Sequence, residues 1–563
     1  MRGEKGRPRS ESITPSFSLL TSYFLLLTLN RHAKKIVGAE GRRPFNIAPA
    51  SLAFAAMYAP ISPLLLAVAL ASVLASARAA AQASPYIPLD DPRLPLLEHL
   101  IARGDVEDPS PMVRPFRRID ALRILESADT AGDGSRSRLR QVLRTEFQSP
   151  DAENTWAVEG RAGAQAYTHG RREPLHPAGA GRTRPYVSLR ADAVVGRIVL
   201  STRPVIEPRL LDDPDWTGRR GLKVVGRMAD AYLSAQFKWG SLFYGIVDRN
   251  WGPVGYPGIP LSNYGYAREH AAFDIGTRDL RLYARATDLK DERDSAGEII
   301  HRYFFAHRLG VRLSNRFQLA IWETTVLAGP DRNFDGRFRN PLSLLLLANQ
   351  YGQGDEEANV LVGLDMHWRA FRRATLQAQV GIDDIQYQNR GGPTRYPDRW
   401  ALTLSAFGPL GKQMAWRALY TQASALAFRT LNPFQNLTDA GVGLGRNFAD
   451  MDQLTLSTTV PIAGRWLLSP EATLLRQGEG RIQDPFPTTP EEAGAIPQIF
   501  IGTVEKTFRV ALGVSGRQGP LDLQANAGFH HVVDAGHQEG RTVDRFEGRI
   551  QATLGFSRGG VLR

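Results

Sequence analysis

The residues of this chain best suited to binding chemistry are arginines that recur at even spacing in two neighbouring stretches. Arg281 and Arg285 are four residues apart, and so are Arg308 and Arg312. Residues two or four apart on a β-strand point to the same face, so each pair would present two guanidinium groups together. Guanidinium groups bind carboxylates through parallel hydrogen bonds. The spacing predicts a positively charged wall that binds an anionic ligand.

A second candidate is the run Asp248-Arg249-Asn250-Trp251-Gly252-Pro253, in which two charged side chains precede an aromatic one. A tryptophan can stack on the face of a sugar, and an arginine can bind its acidic substituents. Asp248, Arg249 and Trp251 are therefore predicted ligand-binding residues. A rigid turn or a constriction held by an Arg–Asp pair explains the same run, and both interpretations stay open.

Groups that could support catalysis occur without the partners that catalysis requires. Adjacent strand residues point to opposite faces, so Asp383 and Asp384 form no acid pair unless a bulge intervenes. No serine lies in a recognisable nucleophile setting, and the histidines lack the spacing of metal ligands. The sequence predicts a protein that is not an enzyme, with no catalytic residue, metal or cofactor. The histidines considered are His367, His530 and His531.

The elements that position these residues are short stretches in which apolar and polar residues alternate between positions 230 and 556. In 231–239 the odd residues are apolar and the even ones are polar, and 360–368 and 521–529 repeat the alternation. Alternation gives each strand one apolar and one polar face, as in a barrel with lipid outside and a polar lumen inside. The prediction is an all-β fold, a large antiparallel transmembrane β-barrel of about 16–20 strands, with 18 as the best estimate.

The same alternation assigns charged residues to the lumen. More arginines and lysines than carboxylates fall on the inward face, which supports an anionic partner. The alternative is structural: each arginine would pair with a lumen carboxylate such as Asp365 or Asp383. The predicted inward residues are Lys238, Arg281, Arg285, Arg308, Arg312, Arg417 and Arg549, against Asp365, Asp383, Asp522 and Glu547.

The first 83 residues have the character of a leader. The apolar block Leu64–Leu74 leads into Ala81-Gln82-Ala83, a small-residue cleavage pattern that predicts a signal peptide and a mature chain beginning at Ser84. These residues carry +7 of the net charge of +12, which leaves +5 for the rest. A nucleic-acid partner is therefore not predicted. The chain has 563 residues and no cysteine, which fits passage through an oxidising periplasm.

Residues 84–150 differ from the rest because their apolar residues follow helical spacing. Three short stripes predict a small periplasmic helical segment at the inner mouth of a barrel formed by residues 151–563. A flexible linker is the alternative. The longest polar interruptions of the barrel are predicted extracellular loops, at 288–299, 329–340, 388–398 and 478–498.

The order of several motifs resembles the Wzi capsule-assembly family of outer-membrane proteins. The resemblance rests on the run 245–253 with Pro260-Leu261-Ser262-Asn263, on His307-Arg308-Leu309, and on 339–342 and 359–365. It implies a monomeric barrel in the outer membrane of a Gram-negative-type bacterium that binds capsular polysaccharide and helps hold the capsule at the cell surface. One departure is that Phe556 is followed by seven residues, whereas such barrels commonly end on an aromatic residue.

The predicted function is therefore a non-enzymatic outer-membrane barrel that binds capsular or other surface polysaccharide, and the predicted polysaccharide is acidic. Its other partners would be outer-membrane lipid and lipopolysaccharide. The same basic lumen would suit a diffusion porin for small anions, which is the alternative function. An outer-membrane hydrolase is a third possibility of a different class.

Overall fold

A computed structural model shows a closed antiparallel β-barrel of 18 strands, which confirms the predicted fold class. The structure describes residues 83–127, 134–148, 152–170, 175, 181–350, 358–371, 373–384 and 397–562. The predicted leader through residue 82 lies outside the described residues.

The barrel strands are numbered in chain order. They are β1 (Asn154–Tyr167), β2 (Thr183–Val195), β3 (Ile198–Ile206), β4 (Gly226–Phe237), β5 (Gly240–Ile246), β6 (Glu269–Gly276), β7 (Leu280–Asp288), β8 (Ile299–Ser314), β9 (Phe317–Gly329), β10 (Asn359–Phe371), β11 (Ala374–Asp384), β12 (Arg399–Leu410), β13 (Met414–Ala423), β14 (Met451–Ile462), β15 (Trp466–Gln477), β16 (Glu505–Gln518), β17 (Leu521–Val533) and β18 (Thr542–Val561).

The barrel closes at β1, which pairs with both β2 and β18. Gly160 of β1, for example, lies opposite Leu189 of β2 on one side and Phe556 of β18 on the other. β18 continues to Val561, so Phe556 is an exposed outward residue near the end of the strand and not its last residue. Both ends of the barrel sequence lie at the side with short turns, such as 196–197 and 315–316. Short turns mark the periplasmic side of outer-membrane barrels.

The predicted extracellular loops all join strands at the opposite side. The segments 288–299, 329–340 and 478–498 connect β7 to β8, β9 to β10 and β15 to β16. The segment 388–398 connects β11 to β12, and all of it except 397–398 lies outside the described residues.

The alternation of side chains between lipid and lumen follows the predicted parity. In β4, Tyr232, Ser234 and Gln236 are buried inside the barrel, where Tyr232 and Gln236 bond the backbone of residues 84–86. Lys238 is the exception: it lies exposed in the turn after β4, so its assignment to the lumen was wrong. The parity argument failed there because the strand ends one residue earlier.

Three helices precede the barrel in the part of the chain that the structure describes: α1 (Leu94–Arg103), α2 (Arg118–Ser127) and α3 (Gly134–Phe147). Their apolar faces pack together and against Leu467 of the barrel wall. His99 Nδ1 lies 2.7 Å from Thr459 Oγ1, and Arg103 donates to the carbonyl of Lys412 in a short turn at 3.0 Å. These contacts place α1 at the periplasmic mouth. The division of the chain at residues 83 and 150 remains a prediction.

Shorter helices lie in the long loops: α4 (Gly336–Arg339), α5 (Leu345–Asn349) and α6 (Pro490–Ala495), with 3₁₀ turns at Pro208–Leu211 and Pro433–Gln435. Within the described part of the chain, no helix is both long and apolar enough to cross a membrane.

The lumen is filled by two long loops that fold inward. Trp251, Ile259 and Leu261 of the loop after β5 form one apolar cluster with Phe428 and Leu444 of the loop after β13. The first loop is also tied to the N-terminal segment, because Val113–Arg114 pairs as a short strand with Asn250–Trp251. Where these two loops meet, the inside of the barrel is therefore a packed core and not an open channel.

Candidate functional site

The four arginines of the predicted wall all face the lumen, but three of them are neutralised by carboxylates. Arg281 Nη2 lies 2.8 Å from Asp274 Oδ2 on β6, and Arg312 Nη1 lies 2.9 Å from Glu107 Oε1 of the N-terminal segment. Arg308 Nε lies 2.9 Å from Asp365 Oδ2 on β10. The expected unpaired wall is thus interrupted, because carboxylates from neighbouring strands and from the helical segment reach the arginines.

The Arg308–Asp365 pair belongs to a buried network that anchors the inward loop. Asp365 Oδ1 also accepts from Trp322 Nε1 at 2.9 Å and from Gln379 Nε2 at 2.8 Å. The same Gln379 amide donates to the carbonyl of Trp251 and accepts from the amide of Ile259. Gln379 thus links Asp365 to the backbone of the inward loop at two residues, and these bonds hold the loop in one position.

Arg285 differs from the other three. It is only 5% exposed, and its described side-chain bond is to Thr287 Oγ1 at 3.3 Å. Among the described residues no carboxylate lies within ion-pair distance of its guanidinium group. A buried cation without a carboxylate at contact distance is costly, and among the described residues Asp248, in the wall of the same cavity, is the carboxylate whose charge acts on Arg285.

Arg285 lines a small cavity in the extracellular half of the lumen. Its volume is about 10 Å³, which is room for one water-sized group. The cavity wall carries three arginines and one carboxylate, so its charge is positive. The lining residues are Val247, Asp248, Arg249, Leu261, Ser262, Tyr266, Ala267, Arg268, Arg285, Thr287, Phe304 and Leu444.

Arg249 is oriented by its neighbours. Its Nε donates to His270 Nε2 at 2.8 Å, and its guanidinium carbon lies 4.5 Å from the centre of the Phe243 ring. Because Nε2 accepts this bond, the proton of neutral His270 is on Nδ1, which lies 2.9 Å from the carbonyl oxygen of Arg268. The strand ends of β5 and β6 therefore hold Arg249 rigidly beside the cavity without neutralising it.

Asp248 is the single carboxylate of the cavity. Its removal from water inside the lumen raises the pKa of its carboxyl group to about 7, with Asp90 and Asp230 adding to the effect and Arg227 opposing it. Within the described residues it forms no ion pair. The charge of the cavity therefore changes near neutral pH.

The remaining predicted residue of this run, Trp251, is 3% exposed and packs in the apolar cluster of the inward loop. The segment 248–253 thus has features of both interpretations that the sequence left open, a rigid turn and a ligand-binding site. Trp251 anchors a rigid turn, whereas Asp248 and Arg249 line the cavity. A ligand-binding role for any of these residues remains a prediction.

The groups considered for catalysis are held in other contacts. A register shift between Ile382 and Asp384 lets both Asp383 and Asp384 approach the guanidinium of Arg399, at 3.2 and 3.4 Å. His530 accepts from Arg509, and His531 lies 2.7 Å from Asp544. His367 contacts Gln377. In the described ranges, no group of three or more acidic or histidine side chains could hold a metal ion.

Other inward residues were located as predicted. Arg417 donates to the carbonyl of Val254 at 2.7 Å, and Arg549 is exposed to the lumen on β18. Sequence reasoning missed Arg268, whose Nε lies 2.6 Å from Asp439 Oδ2. It lies in a loop, where alternation gives no information on direction.

Similar folds were found only among solved structures. No protein-family model matches the chain, and no curated protein matches it significantly. The fold is similar to that of Wzi from Escherichia coli, an outer-membrane protein involved in group 1 capsule assembly and a carbohydrate-binding β-barrel. The two share 14% identity at a TM-score of 0.56, over 84% of this chain and 99% of Wzi.

OprD from Pseudomonas aeruginosa is similar over 72% of this chain and 95% of its own, with 9% identity and a TM-score of 0.40. A BenF-like porin from Pseudomonas fluorescens shares 12% identity over 73% and 99% of the two chains, with a TM-score of 0.37. Together the barrel and its similarity to Wzi show that this chain is an outer-membrane β-barrel.

Proposed function

We propose that this barrel binds an acidic capsular or other surface polysaccharide and helps attach it to the cell. The ligand's acidic substituent would enter the cavity beside Arg249 and Arg285. The position of the cavity supports the proposal, since it lies in the extracellular half of the lumen, below the long loops. The similarity to Wzi, which binds carbohydrate, is consistent with it.

The observation that carries the proposal is the buried guanidinium of Arg285. An arginine that is nearly excluded from water, with no carboxylate of the described residues at ion-pair distance, lowers the stability of the protein. An incoming carboxylate would supply negative charge through a charge-assisted hydrogen bond from the guanidinium group. The free-energy gain is large because both groups lie away from bulk water.

The size of the cavity limits what can enter it. A volume of about 10 Å³ holds a single small group and not a sugar ring. The bound group would therefore be a small charged substituent that projects from the chain, such as a uronic carboxylate with one oxygen inside the cavity. The sugar rings would remain among the extracellular loops, where Trp216 and Tyr266 form an edge-to-face pair.

The alternative function, diffusion of small anions, requires a water-filled path. The apolar cluster around Trp251 and Phe428 fills the lumen, which supports binding over diffusion. Single-channel recording in planar bilayers separates the two. A binding barrel conducts little, whereas a porin gives steps that depend on the anion.

The test of binding uses the purified barrel, an immobilised uronic-acid polymer, and a neutral glucan as the control ligand. Arg285→Gln is expected to weaken binding to the acidic polymer at least tenfold and to leave the neutral glucan unaffected. Arg549→Gln is the matched control, because it removes an inward arginine far from the cavity. Equal binding of the acidic polymer by wild type and Arg285→Gln would contradict the proposal.

A further inference from the structure

The segment between β9 and β10 folds back over the outside of the barrel instead of standing above it. We call residues 330–350 the outer flap; it contains α4 and α5. The Phe334 and Phe338 rings lie 5.2 and 6.1 Å from the ring of Phe305. Phe305 points outward, because its neighbour Phe304 points into the apolar cluster of the lumen. The flap therefore covers the outer wall.

Beneath the flap lies a polar pair on the outward face of the barrel. His307 and Glu323 are cross-strand partners on β8 and β9, and His307 Nδ1 lies 3.3 Å from Glu323 Oε1. The backbone amide of Leu346 in α5 donates to Glu323 Oε2 at 3.3 Å. Both side chains are buried. A carboxylate in contact with hydrocarbon is costly, and the flap supplies the hydrogen bond and the cover that avoid this cost.

The depth of this pair follows from the periplasmic aromatic residues. Phe317 and Trp368 pair across β9 and β10 with ring centroids 6.3 Å apart, at the turn side where aromatic girdles mark the membrane edge. Glu323 is six residues further along β9. With about 3.3 Å per residue and a tilt of about 40°, it lies about 15 Å above that edge. The apolar band is about 25 Å tall, so the pair and α5 lie within it.

The outer surface of the flap is apolar. Leu342 is 69% exposed, and Leu344 and Leu347 are exposed as well. They continue the exposed apolar wall formed by Ile321 and Leu364 on the strands below. An exposed cluster of leucines next to a lipid-facing wall marks a contact surface for a membrane.

We propose that the outer flap is inserted in the outer leaflet of the membrane, with its leucines in contact with lipid acyl chains. The depth of α5 and the continuity of the leucines with the lipid-facing wall favour lipid as the occupant of this surface. The flap thereby widens the barrel's lipid contact and keeps the His307–Glu323 pair away from hydrocarbon. This inference is independent of polysaccharide binding.

The test uses the absence of cysteine from the chain. Leu344→Cys and Leu347→Cys are each labelled with a nitroxide, and the barrel is refolded into phospholipid vesicles. Leu364→Cys serves as the lipid-facing control, and Glu298→Cys, in the loop after β7, serves as the water-facing control. Folding of each variant is checked by heat-modifiable gel migration.

Oxygen, which concentrates in hydrocarbon, is expected to relax the two flap labels as strongly as the Leu364→Cys label. A water-soluble nickel complex is expected to relax them at least fivefold less than the Glu298→Cys label. Nickel relaxation equal to that of Glu298→Cys would overturn the proposal. Spin–spin broadening between flap labels, together with a dimer on native gels, would also overturn it by showing a second barrel on this surface.

Discussion

Two buried arginines on adjacent strands, Arg308 and Arg285, should respond in opposite ways to the same substitution. Arg308→Gln leaves the carboxylate of Asp365 buried and without its cation. Loss of one partner of a buried ion pair costs about 3–5 kcal/mol. Asp365 keeps its hydrogen bonds from Trp322 and Gln379, so the expected loss is at the lower end. About 3 kcal/mol corresponds to more than a hundredfold change in the unfolding equilibrium.

Arg285→Gln should not destabilise the barrel. It removes a buried cation that has no described carboxylate partner, and the glutamine amide can still donate to Thr287. We expect the free energy of unfolding to stay within about 0.5 kcal/mol of wild type or to rise. The same variant should lose binding of the uronic-acid polymer.

The assay is urea unfolding in phospholipid vesicles, followed by the fluorescence of the nine tryptophans and extrapolated linearly to zero urea. A loss of about 3 kcal/mol for Arg285→Gln with unchanged polymer binding would refute the reasoning. It would mean that Arg285 is a structural cation whose counter-charge lies within the protein. An unchanged stability of Arg308→Gln would refute the assignment of Asp365 as the anchor of the network.

Asp248, His99 and Gln379 each allow a further test. Because the pKa of Asp248 is raised to about 7, its carboxylate is charged above that pH and repels an anion. The affinity for the acidic polymer, measured by calorimetry, should therefore fall between pH 6 and pH 8. Asp248→Asn should abolish this pH dependence. Burial lowers the pKa of His99 to about 4, and the positive charge of Arg103 nearby adds to this effect. The imidazole of His99 therefore resists protonation in the folded state. Stability in urea should then fall by up to about 3 kcal/mol as the pH drops from 6.5 to 4, and His99→Gln should remove that loss. Gln379→Ala, which frees the inward loop at Trp251, should raise the conductance of single barrels in planar bilayers, whereas an unchanged closed state would show that Gln379 does not hold the plug.

The position of the barrel strands and the lipid-facing parity could be predicted from the sequence because alternation is a local property. Each strand places successive residues on opposite faces whatever its neighbours are, so Tyr232 and Ser234 could be assigned to the lumen from the pattern alone. The compartment followed from the same pattern, since repeated amphipathic strands suit a membrane. The failure at Lys238 has a local cause as well, the exact end of β4.

The charge state of the lumen was decided only by the tertiary structure. Glu107, Asp274 and Asp365 reach Arg312, Arg281 and Arg308 from other elements, and sequence spacing carries no information on such pairs. Among the described residues no carboxylate lies within ion-pair distance of Arg285, for the same reason: what surrounds a side chain depends on which strands become neighbours.

The long loops gave the least information in the sequence. The sequence left open whether the loop after β5 binds a ligand or forms a constriction, and this loop folds inward around Trp251. The segment 329–340 was predicted as an extracellular loop, and its continuation folds back over Glu323 on the outer wall. Loop direction depends on contacts with distant strands, such as the hydrogen bonds of Gln379 to the inward loop. Local residue patterns thus determined the wall of this barrel, and long-range packing decided what fills it and what covers it.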